Sequence, residues 1–392
     1  MNLRSLTVVS LLVVFAGQAK ATDSNINSDS DLPLGARPQI DGVELQSITG
    51  WFANLYPWRY IPSLATVYPV PHLWTPKGYQ SPGAVREQNW LLDRYGSGAD
   101  VLEYNPNPAY PDHNQWLATY FRNGRRPFFL LYEHMNGTRY LPESGPKNMD
   151  LAYNRQVFRG DIDFMVRNVI VPYDGRYVTH DGRALIYMWA PSQLTGDLAS
   201  LLDEARARYP VMFIGSPNLM GIPTDAQVLR NLAAFDGFME YALVAADYST
   251  MVDTYRANSV RWRSMIDRFA TENGKTYFFI PTFQSAFDDS RMDPPRGNPQ
   301  MYPSSRADLF RHAAAVTSFM GTTYDRLGPF VIFSELYEGA AVIESECLPQ
   351  TEDRPGRYVG CGTARLGILK SFFGSANGGG SGGDAVVPRD PL

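Results

Sequence analysis

The sequence predicts an α/β protein that folds as a single (β/α)8 TIM barrel with long loops on its C-terminal face. Three observations favour this class: apolar runs of strand length recur along the chain, helix-like stretches separate them, and no sequence repeat of fixed period is present. Strands that alternate with helices predict a parallel sheet, and eight such units are the number that closes a barrel. The lack of a repeat argues against a solenoid or a propeller.

The eight predicted strands are nearly continuous in apolar and aromatic residues, as parallel strands covered on both faces are. They cover Leu45–Tyr56, Ala99–Asn105, Arg126–Glu133, Ala184–Trp189, Val211–Ser216, Phe235–Tyr241, Thr276–Phe283 and Phe330–Leu336. The predicted helices cover Ser81–Tyr95, Asp112–Asn123, Gly160–Val171, Thr195–Tyr209, Thr224–Ala233, Thr250–Asn273 and Ser305–Leu327.

The two ends of the chain lie outside the barrel pattern. Arg4 precedes an apolar stretch that is too short to span a membrane, and Ala19-Lys20-Ala21 matches a small-x-small cleavage site. We therefore expect a secreted or periplasmic protein whose signal peptide is cleaved near Ala21, without a later membrane span. The predicted organisation is a signal peptide at 1–21, a flexible extension at 22–44, the catalytic barrel at 45–374 and a glycine-rich flexible tail at 375–392.

The composition excludes some classes of partner. The chain carries a formal net charge of -5 and no basic stripe, so nucleic acid is not an expected partner. It is rich in aromatic residues, with 23 Tyr, 21 Phe and 7 Trp, which suits sugar binding and equally suits a large core. We expect a monomer without cofactor or metal. The two cysteines, Cys347 and Cys361, lie in one late loop, and in an oxidising compartment they are expected to form a disulfide.

The last predicted strand ends in two carboxylates. Glu335 and Glu338 follow the apolar run from Phe330, and Gly339 allows the backbone to turn directly after them. The turn would let both side chains face one pocket, and a pair of carboxylates is what glycoside hydrolysis requires. The competing interpretation is that one glutamate forms a salt bridge and the other is solvated. Spacing alone leaves both open.

The other strand ends carry further polar and aromatic side chains, as expected where a barrel has its active site. The predicted substrate-binding residues are Tyr56, Trp58, Asn105, Glu133, His134, Trp189, Glu240, Tyr241, Gln284 and Tyr337. Each also has a structural explanation, such as an ion pair for Glu133 or core packing for Trp189. The acids Asp288, Asp289 and Asp293 follow the seventh strand, where a solvated loop is favoured over a calcium site.

A family resemblance becomes visible at these residues. Glu335-Leu336-Tyr337-Glu338-Gly339, followed by Ile343-Glu344, resembles the Glu-Trp-His-Glu-Gly-Thr-Gln-Ile-Glu signature of glycoside hydrolase family 99, the endo-α-mannosidases and endo-α-mannanases. Leu336-Tyr337 replaces Trp-His, the Thr-Gln pair is absent and one extra residue is inserted, so the sugar-contacting neighbourhood differs. The segments that resemble the family elsewhere are Leu55-Tyr56-Pro57-Trp58, Phe129-Leu130-Leu131-Tyr132-Glu133 and Phe235-Asp236-Gly237-Phe238.

The resemblance implies a fold and a mechanism. Glu335 would be the base that deprotonates the sugar 2-hydroxyl, which then displaces the leaving group to give a 1,2-anhydro sugar. Glu338 would protonate the departing oxygen and later activate water, so the configuration is retained. Direct attack by one carboxylate is the alternative, and it needs the pair about 5–5.5 Å apart. The sequence does not separate the two routes.

Two functions follow from these observations. The first is an exported, retaining, endo-acting glycoside hydrolase that cleaves an α-mannan-like or related polysaccharide or glycan. The second is a non-catalytic accessory protein that binds or exports a polysaccharide on the same barrel. The presence of both glutamates favours the enzyme, because a binding protein needs no proton donor beside a base.

Overall fold

The computed structural model describes the chain in segments. They are residues 38–44, 51–54, 82, 85–86, 89, 99–104, 111–133, 140–142, 145–216, 225–239, 248–280, 282–291, 301, 303, 307–314, 331–334 and 364–373.

Nine strand segments form one curled parallel sheet. They are β2 (Trp51–Asn54), β3 (Ala99–Tyr104), β4 (Phe128–Tyr132), β7 (Arg183–Trp189), β9 (Val211–Ser216), β10 (Gly237–Met239), β11 (Phe278–Ile280), β12 (Thr282–Gln284) and β13 (Val331–Ser334). Their order across the sheet is β11-β10-β9-β7-β4-β3-β2-β13-β12, and each of these pairings is parallel. The outermost segments, β11 and β12, are separated in sequence by Pro281 alone. The predicted strands are therefore present, with the seventh in two segments.

Further short strands lie beside this sheet. β1 (Val43–Glu44) pairs with β6 (Val178–His180), which runs antiparallel to β7. β5 (Lys147–Asn148) and β8 (Leu194–Thr195) form a separate pair between the segments that follow β4 and β7. None of the four was predicted, because two or three residues are too few to give a periodic signal.

Helices alternate with the strands, as predicted. They are α1 (Pro111–Asn123), α2 (Ala152–Met165), α3 (Leu198–Arg208), α4 (Ala226–Ala233), α5 (Tyr248–Asn273) and α6 (Ala364–Phe373), and residues 307–314 are also helical. Asp197 and Asp225 fix the starts of α3 and α4, because their carboxylates accept the N–H groups of Ser200 at 3.1 Å and of Gln227 at 2.9 Å. α6 was not predicted.

The predicted start of the third helix was wrong. α2 begins at Ala152, well before Gly160, and continues through a π-helix at Val166–Ile170 and a 3-10 helix at Val171–Arg176. Gly160 is exposed, so the low helix propensity of glycine is its only unfavourable effect on the helix. The helix is held instead by a buried stripe whose members include Asn154, Phe158, Ile162 and Met165.

The two faces of the sheet have different neighbours. On one face Asp100 accepts a hydrogen bond from Tyr120 of α1, and the hydroxyl of Tyr132 donates to Asp161 of α2 at 2.7 Å. We call this helix-covered side the outer face. Because side chains alternate along a strand, Glu103 and Leu131, which are opposite each other in register, lie on the other side, the inner face.

The first described residues are attached to the sheet rather than free of it. Val43 and Glu44 pair with Val178 and Thr179, and the carboxylate of Glu44 lies 3.0 Å from Nδ1 of His180. Gly42 permits the close approach, since a Cβ there would lie 2.2 Å from Cγ2 of Thr179. The predicted flexible extension thus ends in a short paired strand.

A buried carboxylate ties together the amino-terminal ends of several strands. Asp236, which precedes β10, accepts the N–H of Phe213 at 2.9 Å and the guanidinium of Arg206 at 2.9 Å. It also accepts Arg183 at 3.3 Å, and Lys275 lies 3.7 Å away. Burial alone would raise the pKa of Asp236, but the charges of Arg206 and Lys275 and the Phe213 N–H outweigh it and lower the pKa. The contacts join β7, β9, β10, the approach to β11 and α3.

Among the helices in the described ranges, none is both long enough and apolar enough to cross a membrane.

We expect Asp236→Asn to lower the free energy of unfolding by about 3 kcal/mol, because it leaves buried cations without their carboxylate. Asp203→Asn is the matched control: Asp203 pairs with the same Arg206 at 2.8 Å but its side chain is 74% exposed. It should cost at most about 0.5 kcal/mol. Urea unfolding measures both changes, and equal losses in the two variants would contradict the role of Asp236.

The effect of Asp236→Asn should also depend on pH. A carboxyl whose pKa is lowered on folding stabilises the folded state above its ordinary pKa of 3.8, and this contribution is lost as the pH falls through the folded pKa. The gap between wild type and Asp236→Asn should therefore be full near neutral pH and shrink in strong acid. An unfolding series across pH tests this.

Candidate active site

Three of the predicted substrate-binding residues fall within the described ranges, and all three lie on the inner face at the carboxyl ends of strands. Glu133 follows β4, and its N–H donates to the carbonyl of Tyr104 at 3.0 Å. Trp189 ends β7, and Gln284 ends β12. Their neighbours Tyr132 and Phe283 contact the helix layer, Phe283 through the ring of His312 at 5.1 Å, so Glu133 and Gln284 point the other way.

The inner face carries three further polar residues that were not predicted as site residues, namely Glu103, Tyr187 and Ser216. Glu103 is opposite Leu131, and Leu131 is opposite Tyr187, so these side chains share the inner face one layer below the rim. Ser216 is opposite Trp189 at the rim itself. Glu103 is only 4% exposed despite its charge. The signal for it was present, because it interrupts an apolar strand at a position that shares a face with Val101.

The hydroxyl of Ser216 is buried and makes no hydrogen bond with any part of the chain that the structure describes. The residue is 1% exposed. A buried hydroxyl of this kind costs free energy unless a water or a ligand satisfies it. The indole of Trp189, which is partly exposed, lies next to it in register.

A buried histidine supports the end of β12. Nδ1 of His312 donates to the carbonyl of Gln284 at 3.2 Å, and Nε2 of Gln284 donates to the carbonyl of Ala286 at 3.0 Å. Burial lowers the pKa of His312 to about 4, so the ring is neutral near pH 7. The ring of Tyr248 packs edge-on against it at 6.1 Å, and burial raises the pKa of that phenol. These contacts fix the backbone that presents Gln284.

The segment after β12 is packed, and the prediction of a solvated loop there was wrong for Asp288 and Asp289. Both are buried, because Phe287 pairs its backbone with Met301 at 2.8 and 2.7 Å and folds the segment inward. Oδ1 of Asp288 accepts the N–H of Ser290 at 3.0 Å, and burial raises the pKa of Asp288. Within the described residues no group of three acids, histidines or cysteines is placed to hold a metal ion. Asp293 lies outside these residues.

The remaining predicted residues lie outside the described ranges. They are Glu335, Glu338, Tyr56, Trp58, Asn105, His134, Glu240, Tyr241, Tyr337, Cys347 and Cys361. Their assignments stay predictions. The structure does give the backbone of β13, which pairs with β2 and β12 and ends at Ser334, the residue before Glu335.

No protein-family model matches this sequence, and no curated protein does either. The fold is nevertheless similar to that of solved glycoside hydrolases. The family 99 endo-α-mannosidase from Bacteroides thetaiotaomicron has a TM-score of 0.57 at 15% identity, over 84% of this chain and 97% of that one. Its complex with bis-tris-propane has a TM-score of 0.55, over 84% of this chain and 96% of that one, also at 15% identity.

A protein described as glycoside hydrolase-like is similar to the same degree. Its TM-score is 0.57 at 14% identity, over 87% of this chain and 97% of that one. The distant resemblance to family 99 that the sequence motifs indicated is thus confirmed, at the level of the fold.

We expect the free energy of unfolding to fall as the pH is lowered from about 6.5 to about 4, in part because of His312. A histidine whose pKa is lowered on folding binds its proton only in the unfolded chain over this range, so acid favours unfolding by up to about 3 kcal/mol. His312→Gln keeps a donor but cannot titrate, so its profile should be flatter. Urea unfolding of both proteins at several pH values measures the difference, and parallel profiles would show that His312 is not buried as a neutral ring.

Proposed function

We propose that this chain is an exported, retaining, endo-acting glycoside hydrolase for an α-mannan-like or related polysaccharide. The observation that carries the proposal is the polar rim of the inner face on a fold similar to family 99 hydrolases. Glu133, Trp189 and Ser216 lie at the ends of neighbouring strands, and Gln284 ends β12. Such a fold places its chemistry at the carboxyl ends of the strands. β13 supports the proposal further, since it ends one residue before Glu335.

The same proposal includes a closed (β/α)8 barrel. β11 pairs with β10 at one edge of the sheet, and β12 pairs with β13 at the other. Along the chain, only Pro281 lies between β11 and β12. Read as one interrupted strand, β11 and β12 join the two edges and complete the eight-stranded ring.

In the proposed reaction Glu335 is the base and Glu338 is the acid. Glu335 takes the proton of the sugar 2-hydroxyl, whose oxygen displaces the leaving group while Glu338 protonates that group. Water activated by Glu338 then opens the 1,2-anhydro sugar at C1 while Glu335 returns its proton to the 2-oxygen, so the configuration is retained and both glutamates are reset. Two neighbouring carboxylates favour this division, because each charge raises the pKa of the other and keeps one of them protonated. Direct attack by one carboxylate is the competing route to the same product.

The sugar would be held by the residues around this pair. Glu133, Trp189 and Gln284 are available at the described rim, with Tyr56, Trp58, Asn105, His134, Glu240, Tyr241 and Tyr337 as the further proposed contacts. The protein is proposed to act as a monomer. A polysaccharide-binding accessory protein would use the same rim without turnover, so catalysis is what the first experiment must measure.

We expect Glu335→Gln and Glu338→Gln each to lower turnover by at least ~10²–10⁴, because glutamine keeps the volume but cannot transfer a proton. Incubation with a panel of defined polysaccharides, followed by sizing of the products, identifies the substrate and measures the loss. A substrate with a very good leaving group needs no acid, so it should partly rescue Glu338→Gln and not Glu335→Gln.

Glu272→Gln is the control for this experiment. Glu272 is half-exposed on α5 and pairs with Arg268 at 2.7 Å, so the same change removes a charge far from the rim. It should keep wild-type turnover. If the wild type binds a polysaccharide but cleaves none of the panel, the accessory function is the better assignment.

Export is tested through the cysteines. We propose that Cys347 and Cys361 are bonded in the exported protein, where the closed loop would stabilise the fold by about 3 kcal/mol. Mass spectrometry of alkylated protein, with and without reduction, gives the oxidation state and the mature N-terminus together. Two alkylated thiols without reduction would contradict the disulfide, and an uncleaved Met1 would contradict the signal peptide.

A further inference from the structure

Three side chains occupy adjacent positions of the rim on neighbouring strands. Trp189 of β7 is opposite Ser216 of β9 in register, and Met239 of β10 continues the register in which Gly237 is opposite Ile214. Side chains two residues apart on a strand share a face, so all three lie on the inner face. Ser216 therefore stands between two much larger side chains.

The hydroxyl of Ser216 has no hydrogen-bond partner within the described ranges, although the residue is buried. A serine hydroxyl can donate one hydrogen bond and accept two, and burying it without any of them is unfavourable. Alanine would fill nearly the same volume between Trp189 and Met239 without this penalty. The serine is accounted for if its hydroxyl bonds a group that the described part of the chain does not supply.

The neighbouring strand end carries a second unfavourable feature. Ala190, directly after Trp189, has a left-handed backbone with φ 44° and ψ 47°, which a residue with a Cβ adopts only at a cost in free energy. Its N–H donates to the carbonyl of Ser216 at 2.8 Å, so both unfavourable features lie on one pair of strand ends. Backbone strain of this kind is concentrated at sites that position a group for binding or catalysis. Here the group next to it is the indole of Trp189.

A ligand reaches Oγ of Ser216 only after a neighbouring side chain moves, because the residue is 1% exposed. Of the two side chains beside it, Met239 is equally buried, whereas Trp189 is partly exposed. The indole is therefore the one that can move aside towards solvent. A sugar ring whose apolar face stacks on the indole would then have its hydroxyls next to Ser216.

We propose that Ser216 is a specificity-determining residue of the rim, whose hydroxyl bonds one hydroxyl of a sugar ring that stacks on the indole of Trp189. The inference rests on the proposed function in taking this rim as the sugar site. It narrows the substrate to polymers whose sugar unit at this position carries that hydroxyl, because a ring that is deoxy there leaves Ser216 buried and unpaired. A site built to bond a hydroxyl rejects the analogue without it more strongly than an apolar contact can.

Deoxy sugars test the contact without knowledge of the linkage. The probes are the methyl α-glycosides of mannose, glucose and galactose and each of their monodeoxy derivatives, titrated against the full mature chain by ligand-observed NMR. For the parent that binds most tightly, one monodeoxy derivative should bind about tenfold or more weakly. Equal binding of that parent and all of its derivatives, or no binding of any parent, overturns the proposal.

Variants assign the preference to Ser216. Ser216→Ala should bind the parent about tenfold more weakly and that deoxy derivative as the wild type does, so the preference should fall to about twofold or less. Ser264→Ala is the matched control and should keep the preference, because Ser264 is exposed on α5 and donates to the carbonyl of Val260 at 3.1 Å. An unchanged preference in Ser216→Ala would show that the hydroxyl serves a bound water instead, and it overturns the proposal.

Two further measurements distinguish recognition from a structural role. Ser216→Ala should melt at the same temperature as the wild type or higher, because it removes a buried hydroxyl that the described chain does not bond. Binding of the parent should change the tryptophan emission of the wild type, and Trp189→Phe should lose most of that change. A lower melting temperature of Ser216→Ala, or an emission change that Trp189→Phe keeps in full, contradicts the proposal.

The outcome is separable from that of the proposed function. Hydrolysis of a polymer without any preference for the parent over its deoxy derivatives would refute the Ser216 contact and leave the hydrolase in place. Binding that depends on both the sugar hydroxyl and Ser216, without hydrolysis of any polymer, would refute the hydrolase and leave the contact in place.

Discussion

The architecture depends on one buried carboxylate at the amino-terminal end of the sheet. Asp236 accepts a backbone N–H from β9. It also faces a cation from β7, one from α3 and Lys275, which precedes β11. The charges of Arg206 and Lys275 both lower the pKa of Asp236, although burial lowers the pKa of Lys275 itself. Because the strands are aligned here, the residues at their opposite ends are held in register with one another.

The side chains that stabilise the fold and the polar side chains of the candidate site lie on different parts of the strands. Apolar and aromatic side chains pack the outer face against the helices, as Phe238 and Phe279 do against Trp262 at 5.4 and 5.6 Å. The inner face can then carry polar groups near the rim, where the helices do not need them. Glu103 and Ser216 are costly to bury, and such costs are typical of functional sites rather than of structural ones.

Much of the fold and part of the candidate site could be predicted from sequence. The strands were recognisable because buried parallel strands are almost wholly apolar, and Glu133, Trp189 and Gln284 because they end such runs. Glu103 was missed since it lies inside its strand, where only the alternation of faces distinguishes it. Asp288 and Asp289 were misjudged because the pairing of Phe287 with Met301, which buries them, is a contact that local composition does not reveal. The start of α2 was misplaced because burial of one side of the helix outweighs the low helix propensity of Gly160.

The attachment of β1 has a consequence for how the molecule is oriented when it is held by its N-terminus. β1 pairs with β6, and the turn after β6 leads into the first residue of β7, so the anchored strand lies beside the amino-terminal end of the sheet. The polar rim is at the opposite end. A lipid anchor, a display scaffold or a solid support joined ahead of Pro38 would therefore hold the protein with its rim directed outward, accessible to a polymer too large to approach from the side of the tether.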